Sequence, residues 1–285
     1  MADNRPIGIF DSGVGGLTVL RAIQQILPHE STVYLGDLAR CPYGPRAQYE
    51  VREFALEIAH LLAHENIKML VIACNTATAA AFPDLVGRFP FPVIGVVQPG
   101  AREAARLTRN GRIGVIATDG TVASGAYTRA ILECLPAAAV EERSASWLVP
   151  IIERGPIAHG SVVQTLTPTL DDLRGAGIDT LILGCTHFPL VRDIFAAGIG
   201  PDIVLLDSAV TTAEQITLEL AGRGILAEGP AHHRLLVTGP AEAFAERARA
   251  MFRSSRPIET VSLAPGCACG GRPAPLSVPL VNELV

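Results

Sequence analysis

The sequence predicts an α/β protein of two pseudo-symmetric, doubly wound lobes with parallel-sheet cores and an active site in the cleft between them. Three observations carry this. Short apolar runs bounded by turn residues alternate with helical-period segments along nearly the whole chain, the pattern of βα units. The length, 285 residues, suits about two domains. The third is an internal repeat. Residues 67–76, IKMLVIACNT, lay over residues 178–187, IDTLILGCTH, and IGIFDSG from Ile7 lays over IGVIATDG from Ile113 at nearly the same offset.

Taken in order, strands are expected at residues 6–10 (PIGIF), 32–36 (TVYLG), 69–73 (MLVIA), 93–97 (VIGVV), 112–117 (RIGVIA), 180–184 (TLILG), 203–207 (IVLLD) and 234–239 (RLLVTG). Helical stretches such as YEVREFALEIAHLLAHE and TTAEQITLELAG fill most gaps. The segment QPGA, Gln98 to Ala101, reads as the crossover into the second lobe and Asp207-Ser208 as the return. The expected lobes are therefore residues 1–97 plus 207–285, and residues 98–206. The Gly/Pro-rich tail from Pro265 reads as irregular.

Bulk properties narrow the function. With 49% hydrophobic and 18% charged residues and a net charge of -5, the chain lacks the basic footprint of a nucleic-acid binder, so a small molecule is the expected partner. No basic-then-apolar leader opens the sequence and no uncharged apolar run approaches the roughly 18 residues that span a bilayer, so a soluble, cytoplasmic protein without membrane partners is expected. Six cysteines without a regular framework suggest reduced thiols more than a disulfide scaffold. Lys68 is the only lysine, and it lies at the opposite end of its strand from Cys74, a poor place for a Schiff base.

The chemistry gathers where strands end. Cys74 and Cys185 both follow a strand, where ligands of open α/β sheets bind. Asn75 and Thr76 are good N-cap residues for the next helix, whose partial positive charge would favour a thiolate at Cys74. Either cysteine alone reads slightly better as packing. Two thiols presented by two facing lobes suit proton removal from one face of a carbon and delivery to the other. Asp11, in the glycine-rich FDSGVGGLTV turn, is placed to hold an ammonium group or orient a thiol, and His187 to act as acid/base partner of Cys185. Asp37, Tyr43 and Gly44, in GDLARCPYGPR, form a candidate wall of the same cleft.

Together these stretches resemble the glutamate racemases of the aspartate/glutamate racemase family. IGIFDSGVGGLTV, YLGDLARCPYG, VIACNTATA, IGVIATDGTV, LILGCTHFPL and LLDSAVTTA occur in the family's order over nearly the whole length. The resemblance implies a cofactor-independent enzyme that interconverts L- and D-glutamate and supplies the D-isomer for peptidoglycan. It implies Cys74 and Cys185 as the acid/base pair, supported by Asp11 and His187. It further implies substrate contacts from Asp11, Ser12, Tyr43, Gly44, Asn75, Thr76, Thr186 and His187, supporting carboxylates at Asp37 and Glu153, no metal, and a homodimer. Gln98, Cys41 and the segment Ser144 to Trp147 depart from the family pattern. Cys267 and Cys269 do not have a zinc spacing.

Three rivals remain open: a racemase for aspartate or a hydantoin, a hydrolase using Cys185 and His187, and a non-catalytic binding protein for an acidic ligand. Against the hydrolase, residues two apart at a strand end are expected to project differently, and Cys74 is left without purpose.

Overall fold

The computed structural model describes residues 2–155, 159–253 and 256–263; Cys267 and Cys269 lie outside them. The described strands are β1 (Ile7–Asp11), β2 (Thr32–Gly36), β3 (Met69–Ile72), β4 (Val93–Gly95), β5 (Arg112–Ala117), β6 (Ala139–Ser144), β7 (Thr180–Gly184), β8 (Val204–Asp207), β9 (His233–Val237) and β10 (Ile258–Thr260). They form two wholly parallel sheets, ordered β10-β9-β2-β1-β3-β4 and β6-β5-β7-β8. The four-strand order β2-β1-β3-β4 recurs as β6-β5-β7-β8, so the sequence repeat is a repeat of architecture. In each sheet the chain reverses direction around the first strand of the unit, which opens a crevice at the carboxyl ends.

Both faces of each sheet are covered, and the strand period of two sorts side chains between them. On β3, Met69 and Val71 enter one apolar cluster while Leu70 and Ile72 enter the other; Cys74 continues the second set. On β7, Leu181 and Leu183 enter one cluster, and Cys185 continues their alternation. Each fully buried aliphatic side chain contributes roughly 1.5–3 kcal/mol. The alternation therefore carries a sulfur to the carboxyl edge of each sheet, on the face fixed by the core.

Some expectations need correction. Gln98 to Ala101 is not a bare crossover: it lies in the helix Val97–Leu107, and the strand expected to reach Val97 ends at Gly95. Two strands went unforeseen. β6, AVEERS, is an edge strand, partly exposed and charged, so it lacks an apolar run. β10 has three residues, too few to show a period. At the return, Asp207 caps the helix Ser208–Arg223, accepting from the Ala209 N–H at 3.2 Å.

Lys68 is buried at the amino end of β3, away from the crevice. Its Nζ lies 2.7 Å from Glu30 Oε2 and donates to the carbonyls of Asp3 at 2.6 Å and Ile225 at 2.8 Å. No helix among the described residues is long and apolar enough to cross a membrane.

Candidate active site

A cavity of about 240 Å³ opens where the carboxyl ends of the two sheets face each other. Cys74 and Cys185 both line it, each about 5% exposed. Of the other expected contacts, Ser12, Tyr43, Gly44, Asn75, Thr76, Thr186 and His187 line it too. Asp11, Asp37 and Glu153 do not; each sits behind the wall and holds a residue that does.

Asp11 ends β1 and is fully buried. It accepts hydrogen bonds from the Gly13 N–H at 2.9 Å, from the Gly16 N–H, and from Thr186 Oγ1 at 3.2 Å, so it ties the glycine loop to the opposite lobe. Burial pushes its carboxyl above the ordinary range, against the opposing charge of His187 and these bonds. The glycines are required by close approach. A Cβ on Gly15 would stand 2.4 Å from Thr186 Oγ1 and 2.5 Å from His187 Nδ1, and one on Gly16 would stand 2.3 Å from the Cβ of Asp11. Gly15→Ala is therefore expected to displace Thr186 and His187. Displacement on the order of 1 Å costs about 10²-fold in rate, checked by turnover alongside a melting curve that stays cooperative. Unchanged turnover would refute the expectation.

Cys74, and not Asn75 or Thr76, caps the helix Asn75–Leu85, its sulfur accepting from the Ala77 N–H at 3.5 Å. Its thiol points to Ser12 Oγ at 3.9 Å. The amide at the helix end does favour a thiolate, as expected, but burial outweighs it. Burial, with the charge of Asp11, pushes the thiol up to about 12, and the bonds from Ala77 and Ser12 offset only part of that.

On the facing lobe, Cys185 Sγ lies 3.7 Å from His187 Nδ1, and His187 Nε2 lies 2.5 Å from Glu153 Oε1. Residues two apart thus meet after all, because the chain bends at Cys185 and turns through Thr186 and His187 into the 3₁₀ segment Phe188–Val191. Burial alone would lower the imidazole. The hydrogen bonds to Cys185 and Glu153 outweigh it and raise His187 to about 10. Glu153, half-buried, is held below the ordinary carboxylate range by its bond to His187, which outweighs the burial. At neutral pH the pair is an imidazolium and a carboxylate.

The remaining walls are hydroxyls, an amide and apolar rings. Asp37 accepts from Tyr43 Oη, from Arg40 Nε at 2.7 Å and from Thr238 Oγ1 at 2.6 Å, which fixes the Pro-Tyr-Gly loop. Thr76 Oγ1 meets Thr118 Oγ1 at 2.9 Å across the cleft, and Thr118 meets Thr121 at 2.9 Å. Thr118, Ser146 and Trp147 line the cavity without having been singled out as contacts. A signal for Thr118 existed: carrying the repeat through pairs Ile7 with Ile113 and hence Ser12 with Thr118. Of the departures from the family pattern, Cys41 stands beside Gly13 outside the cavity, and Gln98 Oε1 is buried without a hydrogen-bond partner among the described residues. Cys41, Cys74, Cys134 and Cys185 are free thiols.

The family model for Asp/Glu/hydantoin racemases matches residues 7–216. A glutamate racemase of Geobacter metallireducens is 46% identical over 240 residues, covering 83% of this chain and 89% of that one. Among solved structures, the glutamate racemase isoform RacE1 from Bacillus anthracis superposes with a TM-score of 0.89 at 39% identity, covering 92% of this chain and 98% of that one. The glutamate racemase from Francisella tularensis, solved with D-glutamate, has a TM-score of 0.85 at 32% identity, with 92% and 98% covered.

Proposed function

Because the chain belongs to the Asp/Glu/hydantoin racemase family, we propose that it interconverts L- and D-glutamate by two-base proton transfer between Cys74 and Cys185, without a cofactor. The observation that carries this reading is that two buried thiols, at equivalent positions of two repeated units, line one cavity. A carbon held between them exposes one face to each sulfur. One cysteine as thiolate takes the α-proton, the other as thiol donates its proton to the opposite face, and the roles exchange in the reverse direction.

The high pKa of Cys74 suits the task. An α-proton beside a carboxylate is very weakly acidic, so a base is effective in proportion to its own basicity, and a thiolate of a thiol at about 12 is a stronger base than an ordinary one. The ammonium of the bound amino acid places positive charge in the cleft and so favours that thiolate. His187, cationic at neutral pH, lies against Cys185 and places positive charge beside the second sulfur. Negative charge developing on the substrate carboxylate meets preorganised donors in a small cavity: the Asn75 amide and the Thr76 hydroxyl. Lys68, paired with Glu30 at the far end of β3, offers no amine for a Schiff base.

The reading assigns residues 1–97 plus 207–285 and residues 98–206 to two lobes that close on the substrate, and places the enzyme in the cytoplasm as a homodimer supplying D-glutamate to the cell wall. The family's description spans other acids, and glutamate is favoured because the relatives above bear its name.

A second reading has one observation in its favour: Cys185, His187 and Glu153 form a thiol, imidazole and carboxylate chain of the kind hydrolases use. This reading leaves Cys74 idle, although it lines the same cavity. Incubating the protein with L-glutamate in heavy water tests both. Racemisation replaces the α-proton by deuterium, seen by NMR, while optical rotation decays to zero. Persistence of both signals would overturn the glutamate reading.

A further inference from the structure

Asn75 stands first in the helix after Cys74, 2% exposed, and lines the cavity. Its amide has two ends with opposite chemistry, and only one end faces protein. Asn75 Oδ1 accepts a 2.7 Å hydrogen bond from Tyr127 Oη, whereas Asn75 Nδ2 is buried with no partner among the described residues. A buried donor left unpaired costs roughly 1–3 kcal/mol, so such a group in a cavity wall points to a ligand that accepts from it.

Tyr127 belongs to the other half of the molecule, on the helix Ala126–Cys134, and is fully buried. Its ring is wedged against two glycines: a Cβ on Gly184 would lie 3.0 Å from the ring and one on Gly100 3.5 Å. Its hydroxyl also has a hydrogen bond from Ser208, the first residue of the helix at the return between the lobes. With Ser208 donating to the phenol oxygen, the phenol hydrogen is free to be given to Asn75, which must then accept through its oxygen. That bond decides which way the amide points.

We propose that Tyr127 is a positioning residue: through Ser208 and the Asn75 oxygen it fixes the Asn75 amide so that its NH2 group meets the substrate carboxylate, and it ties that donor to lobe closure. This rests on the glutamate reading. No bond is made or broken by Tyr127, so its loss falls on substrate binding more than on proton transfer.

Steady-state racemisation in both directions, for the native chain, Tyr127→Phe, Asn75→Ala and the double variant, tests it. Tyr127→Phe is expected to raise KM roughly tenfold while kcat stays within about threefold, as expected for an interaction shared by ground and transition states. Asn75→Ala is expected to raise KM at least as much, and the double variant to match Asn75→Ala, because Tyr127 acts only through that amide. A native KM in Tyr127→Phe, a loss confined to kcat, or multiplicative effects in the double variant would each overturn the proposal while the glutamate reading stands. A native chain that does not racemise glutamate overturns that reading and the proposal with it. Should Tyr127→Phe fail to fold, Ser208→Ala loosens the same chain from its other end: a KM raised about threefold, and absent on the Asn75→Ala background, supports the proposal, and a native KM overturns it.

Discussion

Cys74→Ser is expected to racemise L- and D-glutamate about 10²–10⁴-fold more slowly than the native chain, the usual contribution of a positioned acid/base group. The fold should hardly notice. Serine differs by one atom, and as a cap of the helix Asn75–Leu85 it is a better residue than cysteine, taking over the Ala77 N–H. Stability should stay within about 1 kcal/mol of native, so a thermal melt run beside the rate assay separates lost chemistry from lost structure. Cys185→Ser is expected to lose as much, in both directions, because each turnover needs one sulfur as base and the other as acid. The symmetry of the losses discriminates among readings. A binding protein would tolerate both changes; a thiol hydrolase would tolerate Cys74→Ser and not Cys185→Ser. More than a tenth of the native racemisation rate in either variant would sink the two-base mechanism.

What the sequence made legible, and what it hid, follows from the range of the interactions concerned. Strands buried on both faces announce themselves as unbroken apolar runs, and residues 32–36, 112–117 and 180–184 begin and end in the structure where the sequence puts them. The repeat carried the architecture and brought both cysteines to sheet edges. β6 escaped because Glu141, Glu142 and Arg143 occupy an edge strand that needs no second apolar face. The N-cap was misjudged because residue type alone favours Asn75 over a cysteine, and only the path of the chain shows that the sulfur receives the Ala77 N–H. The bond of His187 to Glu153, and that of Asn75 to Tyr127, join residues 34 and 52 positions apart on different elements. No local pattern encodes such a pairing. Opposing energies are equally invisible: the helix end and burial pull the Cys74 thiol in opposite directions, and their balance depends on how completely the lobes exclude water.

The His187–Glu153 pair carries the second large expectation. Burial by itself would lower the imidazole; the hydrogen bond to Cys185, and after it the one to the Glu153 carboxylate, keep the ring charged. Glu153→Gln removes that anion while retaining shape, so His187 keeps only Cys185 to oppose burial and loses its proton at a lower pH. Activity at pH 8 is expected to fall about 10–10²-fold, of the order lost when a charged hydrogen-bond partner is removed, and the alkaline limb of kcat/KM to move from near 10 towards neutral. Stability should follow the same proton. His187 is raised from 6.5 to about 10 on folding, so its contribution is complete below 6.5 and is lost as pH rises towards 10. Glu153 is lowered, so its contribution is present above the ordinary carboxylate range and lost on acidification. The native melting temperature should therefore fall between pH 7 and pH 10, and that slope should flatten in Glu153→Gln. Glu153→Asp, which keeps the charge on a shorter arm, should recover part of the alkaline limb. A Glu153→Gln profile that overlays the native one would mean that His187 does not depend on this carboxylate, and the charged imidazole beside Cys185 would lose its support.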